Sequence, residues 1–472
     1  MAAGIDRAAF PKTKKRQMNM FRFAIGNVIV ASWLVASGER LAAKEPISPK
    51  EALSHYVHKP DDSYQWKVRR KGKLGPTEFV ELILTSQTWR EKAWRHQLFL
   101  ARPSSNTEET SHGLLLIGGG RWRDSLAEAP KDDKLPDEAM IIGAAIEQLK
   151  TPVAILLQVP HQPLFDGMYE DAIIAYTFEQ YLKTGETDWP LLLPMVKSAV
   201  RALDAFTEYA DQNWSQTLKT FTVTGASKRG WTTWLTGAVD KRATALAPMV
   251  IDVLNMGAHL DYQKEIWGSF SDKIHDYTDR GIDKYLLTEQ GAGLRAIVDP
   301  YSYREVLDQP KFLFIGTNDR YWPLNSLQLY WDDLVGDNSV MYVPNQGHSI
   351  KDMNRVLGSL TGFHRAAAQG NTLPVVTGLP THEDGQLQMD IRCSQQPERV
   401  AVWWATSHTT DFRDAKWQAT NTVCDGNCYR HAVRCPDDGY LAAFGEAVFE
   451  QDGWHCFLST EITMVDADGS IQ

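Results

Sequence analysis

The chain has 472 residues, of which 43% are hydrophobic and 23% charged, as in folded globular proteins and unlike disordered or fibrous chains. The formal net charge of −10 argues against a general nucleic-acid binder, because contact with phosphates needs a basic surface that displaces counterions. The length predicts more than one domain.

The N-terminal stretch has the pattern of an export signal. Basic residues between Lys12 and Arg16 precede an apolar run at 23–36, and small residues follow as far as Ala43. This order is that of a secretory signal peptide, and the run is shorter than the roughly 20 residues of a membrane span. We expect residues 1–43 to be a signal peptide, with an uncleaved anchor as the alternative. With a cleaved signal peptide, we expect the protein to be periplasmic or secreted, without stable membrane insertion after signal removal.

Beyond the signal, short apolar runs alternate with longer helical patterns. This alternation indicates βαβ units around a mainly parallel sheet, whose buried strands are continuous apolar runs. We therefore expect one α/β domain over residues 44–370. Its predicted strands lie at 79–85, 95–101, 113–117, 153–159, 220–224, 245–251, 311–315 and 339–343, and its predicted helices at 191–209, 230–239 and 354–368.

The pattern changes after a linker rich in glycine and proline near residue 370. Stretches at 386–391, 399–405, 440–449 and 460–465 alternate or are rich in β-forming residues, with turn residues between them. We expect residues 371–472 to form a small all-β sandwich domain.

All the cysteines of the chain lie in this C-terminal region: Cys393, Cys424, Cys428, Cys435 and Cys456. An oxidising compartment lets such cysteines pair as disulfides, and the odd number leaves one thiol free. The alternative is a zinc site formed by Cys424, Cys428, His431 and Cys435. We predict disulfides, because we expect the chain to be exported to an oxidising compartment. We predict no cofactor, because the sequence has no HExxH, phosphate-loop or dinucleotide-binding motif.

The segment Gly225-Ala-Ser227-Lys-Arg-Gly230 directly follows a predicted strand. In α/β-hydrolases the nucleophile lies on a tight strand-to-helix turn that lifts the serine oxygen towards the substrate, with small residues around it. Gly225 fits the usual Gly-x-Ser-x-Gly pattern, whereas the second glycine comes one position late, at Gly230. We predict an α/β-hydrolase fold with Ser227 as its nucleophile.

A serine nucleophile needs a base and an acid that orients the base. In this fold the acid and then the histidine follow the serine, on loops after later strands. Asp319 and His348 lie in that order, after the last two strands predicted for the α/β domain. Singly, Asp319 also suits a turn and His348 an ordinary loop. Together they predict a triad with Ser227, and Asp252, after an earlier strand, is the alternative acid.

The oxyanion of an acyl-transfer intermediate needs backbone N–H donors. Lys228, directly after the nucleophile, supplies one, and the turn after 113–117 predicts Gly119 and Gly120 as the source of the other. These glycines equally suit a flexible turn, and the prolines beside His161 suit a rigid one. The side chains predicted to contact a small-molecule or peptide substrate are Arg121, Trp122, His161 and Arg229.

Six stretches of the chain together carry a family resemblance, and they begin at Glu170, Trp189, Gly225, Pro248, Asp299 and Val343. They resemble the PhoPQ-activated pathogenicity-related proteins, an α/β-hydrolase-like family of exported bacterial proteins. The resemblance covers about residues 45–370 and implies that the glycine at 230 is a family feature. A similar Gly-x-Ser-Arg-x-Gly element in glucuronoyl esterases implies an ester substrate, and the C-terminal β domain also resembles one of this family.

These patterns predict an exported serine hydrolase that acts on ester or amide bonds. The first alternative is a non-catalytic binding or surface-interaction protein on the same fold. The second is a carbohydrate-active protein that uses Glu170 and Asp171 as paired carboxylates, which is disfavoured because adjacent residues on a helix do not face each other.

Overall fold

A computed structural model of the protein describes residues 47–104, 110–128, 138–426, 428–451 and 453–470, so the predicted signal peptide at 1–43 lies outside the described residues. The first strands are β1 (Gln65–Leu74), β2 (Thr77–Trp89), β3 (Lys92–Arg102), β4 (His112–Ile117), β5 (Val153–Leu156), β6 (Thr220–Ala226), β7 (Ala243–Met249), β8 (Lys311–Gly316) and β9 (Asn338–Val343). The described helices are α1 (Pro49–His58), α2 (Glu138–Leu149), α3 (Glu170–Thr184), α4 (Leu192–Trp214), α5 (Lys228–Val239), α6 (Met256–Trp267), α7 (His275–Thr278), α8 (Ile282–Leu286), α9 (Glu289–Val298) and α10 (Met353–Ala368). None of them has the length and apolar character to cross a bilayer.

The main sheet follows the strand order of an α/β-hydrolase. Its first nine strands lie in the order β1-β2-β3-β5-β4-β6-β7-β8-β9. The strands from β4 to β9 are parallel, and β1 to β3 form an antiparallel edge. Helices cover both faces of the parallel part, which is why a strand such as β8 is buried along its whole length and is an uninterrupted apolar run. The chain has an α/β-hydrolase fold, as the sequence predicts.

A helical insertion separates β7 from β8 and contains α6 to α9. Its two ends are joined by Asp299, whose carboxylate accepts hydrogen bonds from the amides of Asn255, Met256 and Tyr301. α9 is capped by Thr288, whose hydroxyl accepts from the Gly291 amide. The first and last residues of the insertion are therefore held by one buried carboxylate. The insertion follows the end of β7 at Met249, whose carbonyl accepts a hydrogen bond from the Ser227 amide. Sequence analysis predicted none of its helices.

The C-terminal strands extend the main sheet and add a second one. β17 pairs with β9 through Ser459 and Val340, and β16, β12 and β13 follow in that order, with β18 paired to β16. A separate antiparallel sheet has the order β10-β11-β15-β14. The strands concerned are β10 (Val376–Glu383), β11 (Gln386–Cys393), β12 (Arg399–Ser407), β13 (Gln418–Asn421), β14 (Val423–Asp425), β15 (Cys428–Arg434), β16 (Tyr440–Gln451), β17 (Trp454–Ser459) and β18 (Thr463–Asp466).

The two C-terminal sheets share one apolar core. Met389 and Ile391 from the small sheet pack in the same cluster as Val402 and Leu441 from the extended one, which is the sandwich that the sequence predicts. Because one of its sheets continues the hydrolase sheet, the chain from Ile47 to Gln472 forms a single compact unit. The predicted domain boundary at 370/371 falls between α10 and β10 and stays a prediction.

The prediction of disulfides is wrong for this structure, in which all five cysteines are described and all are free thiols. For Cys424 and Cys428, the cysteines closest in sequence, strand register explains why they form no disulfide. The hairpin of β14 and β15 pairs Cys424 with Tyr429, so Cys424 and Cys428 point to opposite faces of the sheet. Cys456 lies on β17, in the other sheet. Among the described residues, no group of three His, Cys, Asp or Glu side chains is placed to hold a metal, and the zinc alternative stays a hypothesis.

Candidate active site

Ser227 lies on the turn between β6 and α5 with φ 58° and ψ −128°, a conformation that costs energy for a residue with a side chain. The turn is tightly packed. A Cβ atom on Gly225 would lie 2.8 Å from the Arg229 backbone, and one on Gly230 would lie 2.6 Å from the Ile251 side chain. Both glycines are therefore needed where strand and helix pass each other. The usual Gly-x-Ser-x-Gly pattern places its second glycine at the position of Arg229. In this chain Gly230 provides the close packing between strand and helix.

His348 and Asp319 meet Ser227 from two neighbouring loops. His348 Nε2 lies 2.8 Å from Ser227 Oγ, and His348 Nδ1 lies 2.8 Å from Asp319 Oδ2. Asp319 is buried and also accepts the Tyr321 amide at 2.9 Å. The Tyr321 ring packs on the imidazole with 4.2 Å between ring centroids. This serine–histidine–carboxylate arrangement can take a proton from Ser227 Oγ and stabilise the imidazolium that results.

The C-terminal region holds the loops that carry the acid and the histidine. The Asn318 side chain donates to the Ala415 carbonyl at 2.8 Å. The Asn345 amide group exchanges two hydrogen bonds with the Trp417 backbone, at 2.8 and 2.9 Å. The two loops are joined directly as well, since the Asn318 amide donates to the Gln346 carbonyl at 2.9 Å. The segment before β13 therefore supports the triad geometry, a role that no local sequence pattern indicates.

The predicted oxyanion donors lie beside the turn. Lys228 is the first residue of α5, so its backbone N–H has no acceptor within the helix. The loop 118–120 approaches the same helix end because Gly119 packs against Arg229: a Cβ on Gly119 would lie 2.6 Å from the guanidinium. Gly120 has φ 120°, which glycine adopts without strain. The oxyanion role of Lys228, Gly119 and Gly120 stays a prediction.

Four charged side chains next to the nucleophile form a cluster, the ion-pair cluster of Glu170, Asp171, Lys228 and Arg229. Arg229 binds both oxygens of Glu170 at 2.6 and 2.7 Å. Lys228 Nζ lies 3.0 Å from Glu170 and 3.1 Å from Asp171. Burial opposes ionisation of Glu170, but the hydrogen bond and charge of Arg229 outweigh it and lower the Glu170 pKa to about 2. An acid held ionised in this way is poorly suited to donate protons, which disfavours the carbohydrate-active alternative.

The remaining predicted substrate contacts have partners within the protein. Arg121 is exposed, with its guanidinium 5.6 Å from the centre of the Tyr169 ring. Trp122 and His161 are buried together with 5.8 Å between ring centroids, and His161 Nδ1 lies 3.1 Å from the Arg95 carbonyl. Burial lowers the pKa of His161 to about 4. A role of these side chains in binding substrate stays a prediction.

Sequence analysis missed a pocket that opens beside Ser227 under the helical insertion, here named the cap pocket. The pocket is partly open to solvent. None of the four predicted substrate contacts lines it. Its polar lining includes His259 and Gln263, and only the spacing of Met256, His259, Leu260 and Gln263 on one face of α6 could have indicated it. Its apolar lining comprises Phe178, Trp231, Ile251, Val253, Met256, Leu260, Ile274, Ile282, Leu286 and Trp322.

Asp252, the alternative acid, is also fully buried after β7. Its carboxyl group accepts a hydrogen bond from the Tyr330 hydroxyl at 2.7 Å. Burial, opposed by the Tyr330 hydrogen bond and assisted by the nearby charge of Asp319, raises the Asp252 pKa to about 7. The carboxylate in contact with His348 is that of Asp319.

Several solved structures are similar to this chain at low identity. An acetyl xylan esterase from Paenibacillus sp. R4 is 13% identical with a TM-score of 0.44, over 67% of this chain and 92% of that chain. Acetyl xylan esterase 1 from Thermoanaerobacterium sp. JW/SL YS485 is 13% identical with a TM-score of 0.43, over 68% and 94%. A glucuronoyl esterase from Solibacter usitatus is 11% identical with a TM-score of 0.37, over 68% and 92%.

Sequence comparison gives a closer relationship. Autocrine proliferation repressor protein A from Dictyostelium discoideum is 30% identical over 433 residues, which cover 84% of this chain and 85% of that protein. The sequence model of the PhoPQ-activated pathogenicity-related proteins matches residues 53–413, a span that includes the nucleophile turn and both loops of the triad. The chain belongs to the PhoPQ-activated pathogenicity-related protein family.

Proposed function

We propose that this protein is a serine hydrolase that cleaves carboxylic ester or amide bonds through an acyl-enzyme. The observation that carries the proposal is the hydrogen-bonded relay in which His348 lies 2.8 Å from both Ser227 Oγ and Asp319 Oδ2. The strained Ser227 backbone supports it, because such strain is typical of a nucleophile held at a turn.

In the acylation step, Ser227 Oγ attacks the carbonyl carbon of the substrate while His348 Nε2 accepts the hydroxyl proton. The resulting oxyanion accepts hydrogen bonds from the Lys228 amide and from the loop with Gly119 and Gly120. The carbon–leaving-group bond then breaks, and His348 returns its proton to the departing oxygen or nitrogen. Asp319 accepts the Nδ1–H of His348 throughout and remains ionised.

Deacylation repeats these steps with water. His348 Nε2 accepts a proton from a water molecule whose oxygen attacks the acyl carbon. The bond to Ser227 Oγ breaks, the hydroxyl regains its proton from His348, and a carboxylic acid leaves. Each proton that His348 accepts is returned within the cycle, so no cofactor is needed.

We also propose that the protein is exported to the periplasm or beyond. The proposal rests on the sequence of residues 1–43. N-terminal sequencing of the protein from cell fractions tests it. We expect a mature chain that starts near residue 44 outside the cytoplasm, and a full-length chain retained in the cytoplasm would contradict export.

A fluorophosphonate probe tests the enzymatic proposal, because it reacts covalently with activated serines. We expect labelling of the wild-type protein and loss of labelling in Ser227→Ala. Ser302→Ala, a change at an exposed serine, serves as the matched control and should label normally. A folded wild-type protein that takes up no label would instead favour the non-catalytic binding protein.

A further inference from the structure

His259 lines the cap pocket and has no partner there. Its side chain is on α6 and the residue is only 3% exposed. Within the described residues, neither ring nitrogen has a hydrogen-bond partner, and the nearest aromatic contact is the Tyr330 ring at 6.4 Å between centroids. Buried polar groups in native proteins are almost always hydrogen-bonded. Two unpartnered nitrogens on the wall of a pocket are therefore what a ligand-binding histidine presents.

Most other polar groups of the pocket are already occupied. The Gln263 side chain binds the Tyr321 carbonyl and the Ser271 amide, at 3.1 and 3.0 Å. The Tyr277 hydroxyl donates to Asp171 at 3.0 Å, and Asp171 also pairs with Lys228. One carboxylate oxygen of Asp283, another lining residue of the pocket, is buried without a partner. The Trp322 Nε1–H on the pocket wall is also buried without a partner, but it can only donate. His259 is thus the unpartnered side chain of the pocket that offers both a donor and an acceptor nitrogen, and most of the remaining lining is apolar.

The chemistry of this histidine favours a neutral ligand group. Burial lowers the His259 pKa to about 3, so the ring is uncharged at neutral pH. A neutral imidazole offers one donor and one acceptor nitrogen, and a hydroxyl group can engage either. A carboxylate would be desolvated here without a cation, because the Lys228 ammonium is paired with the ion-pair cluster.

The position of the pocket assigns it to the acyl part of the substrate. The leaving group must lie next to His348, since it takes its proton from that ring. Ser227 lines the cap pocket, whereas His348 does not belong to its lining residues. Tyr321 and Trp322 line the cap pocket and pack on the His348 ring, so they lie between the pocket and the imidazole. We therefore assign the acyl group to the pocket and the leaving group to the His348 side of Ser227.

We propose that the cap pocket binds an apolar acyl chain whose far end carries a hydroxyl group, and that His259 recognises this hydroxyl. The proposal rests on the serine hydrolase function and names the substrate class of that site. It predicts two preferences: for longer acyl chains over acetyl, and for a hydroxylated chain end over a methyl end.

Matched 4-nitrophenyl esters test these preferences. One set carries acetyl, hexanoyl, octanoyl and decanoyl groups, and the acetyl ester should have the lowest kcat/KM of this set. Two other sets carry the hexanoyl, octanoyl and decanoyl chains with a terminal hydroxyl or a terminal amino group. We expect kcat/KM for the best hydroxylated ester to exceed that of its plain counterpart by about tenfold, the effect of one net hydrogen bond. The amino esters should be poorer than the hydroxylated ones. A preference for the amino esters would assign recognition to Asp283 and overturn the proposal.

Two variants locate the preference. His259→Leu replaces the imidazole by an apolar side chain of similar size and removes both nitrogens. The ratio of kcat/KM for the hydroxylated ester to that for the plain ester should therefore fall to about one. Leu260→Ala, a neighbour on the same wall of the pocket, is the matched control and should lower kcat/KM for both esters while leaving their ratio unchanged. A ratio that persists in His259→Leu would overturn the proposal, and so would a wild-type ratio near one at every chain length.

Fluorophosphonate labelling of the same preparations separates the two proposals. Labelled wild-type enzyme that hydrolyses the plain esters without a hydroxyl preference refutes the role of His259 and leaves the serine hydrolase intact. Wild-type protein that neither labels nor hydrolyses any ester refutes both.

Discussion

The ion-pair cluster and the cap pocket lie next to each other at Ser227, with Asp171 and Lys228 common to both, and they differ in how their polar groups are satisfied. In the ion-pair cluster each charged side chain has a partner of opposite sign within 3.1 Å. In the cap pocket the two nitrogens of His259 have none among the described residues. The cluster therefore fixes the start of α5 against the start of α3, while the pocket keeps its hydrogen-bonding capacity for a ligand.

This difference changes how the basic residues after the nucleophile are understood. Lys228 and Arg229 next to a catalytic serine suggest an acidic substrate, but Glu170 and Asp171 already balance their charges. A satisfied charge at this position supports the shape of the turn. Recognition is left to the apolar side, where affinity comes from buried surface and selectivity from one hydrogen bond.

The largest effect should come from the nucleophile shared by both sides. Ser227→Ala removes the attacking oxygen, so we expect kcat for 4-nitrophenyl hexanoate to fall by about 10⁴-fold or more, towards the residual rate supplied by oxyanion binding. Steady-state kinetics on protein with an unchanged circular dichroism spectrum measures it. Retained turnover would place the chemistry elsewhere.

The next effect distinguishes the two buried acids. Asp319→Asn removes the charge that stabilises the imidazolium, and we expect kcat to fall by about 10³-fold to 10⁴-fold. Asp252→Asn is the control, because its amide oxygen still accepts the Tyr330 hydrogen bond, and it should lower kcat less than about tenfold. The reverse ranking in the same assay would make Asp252 the catalytic acid.

A third change tests whether the ion-pair cluster is a scaffold. Glu170→Gln leaves Arg229 buried without its counter-charge, so we expect the free energy of unfolding to fall by about 2 kcal/mol, with the hydroxyl-to-plain ester ratio unchanged. Glu179→Gln breaks more exposed pairs with Lys183 and Arg280 and should cost less than about 1 kcal/mol. Urea denaturation measures both. A changed ester ratio with unchanged stability would make the cluster part of the recognition site.

The last effect concerns the pH dependence of stability. Asp252 has a folded-state pKa of about 7 against an ordinary value of 3.8, so it favours folding below about pH 4 and this contribution is lost as pH rises through about 7. Asp252→Asn has no carboxyl group to ionise. We expect it to be more stable than wild type by about 4 kcal/mol at pH 8 and nearly equal at pH 4. Urea denaturation at both pH values decides, and equal stabilities at pH 8 would show that Asp252 does not titrate this way.

The arrangement of Ser227, His348 and Asp319 was predictable because its signals are local. Ser227 follows an apolar strand and has glycines at the positions that packing requires, and Asp319 and His348 each follow a strand in the order that the fold demands. The sandwich was visible for the same reason, through alternation within single strands. By contrast, β1 is largely exposed and highly charged, so no apolar run marked it.

The cap pocket and the ion-pair cluster depend on contacts that are distant in sequence. α7 and α8 have four and five residues, too few for an amphipathic period to be recognised. Glu170 and Arg229 are 59 residues apart, so nothing local pairs them. The disulfide prediction failed similarly, because strand register, which cysteine spacing does not reveal, sets the face to which each thiol points.

Direct trapping of the acyl-enzyme tests the central claim. Wild-type protein mixed with 4-nitrophenyl decanoate, quenched in acid within the first turnover and digested, is analysed by mass spectrometry. The account predicts a decanoyl group on the peptide that contains Ser227, formed with a burst of about one 4-nitrophenolate per protein molecule. An acyl group on another residue would contradict it. Turnover without any adduct or burst, by protein that the fluorophosphonate probe does not label, would contradict it as well.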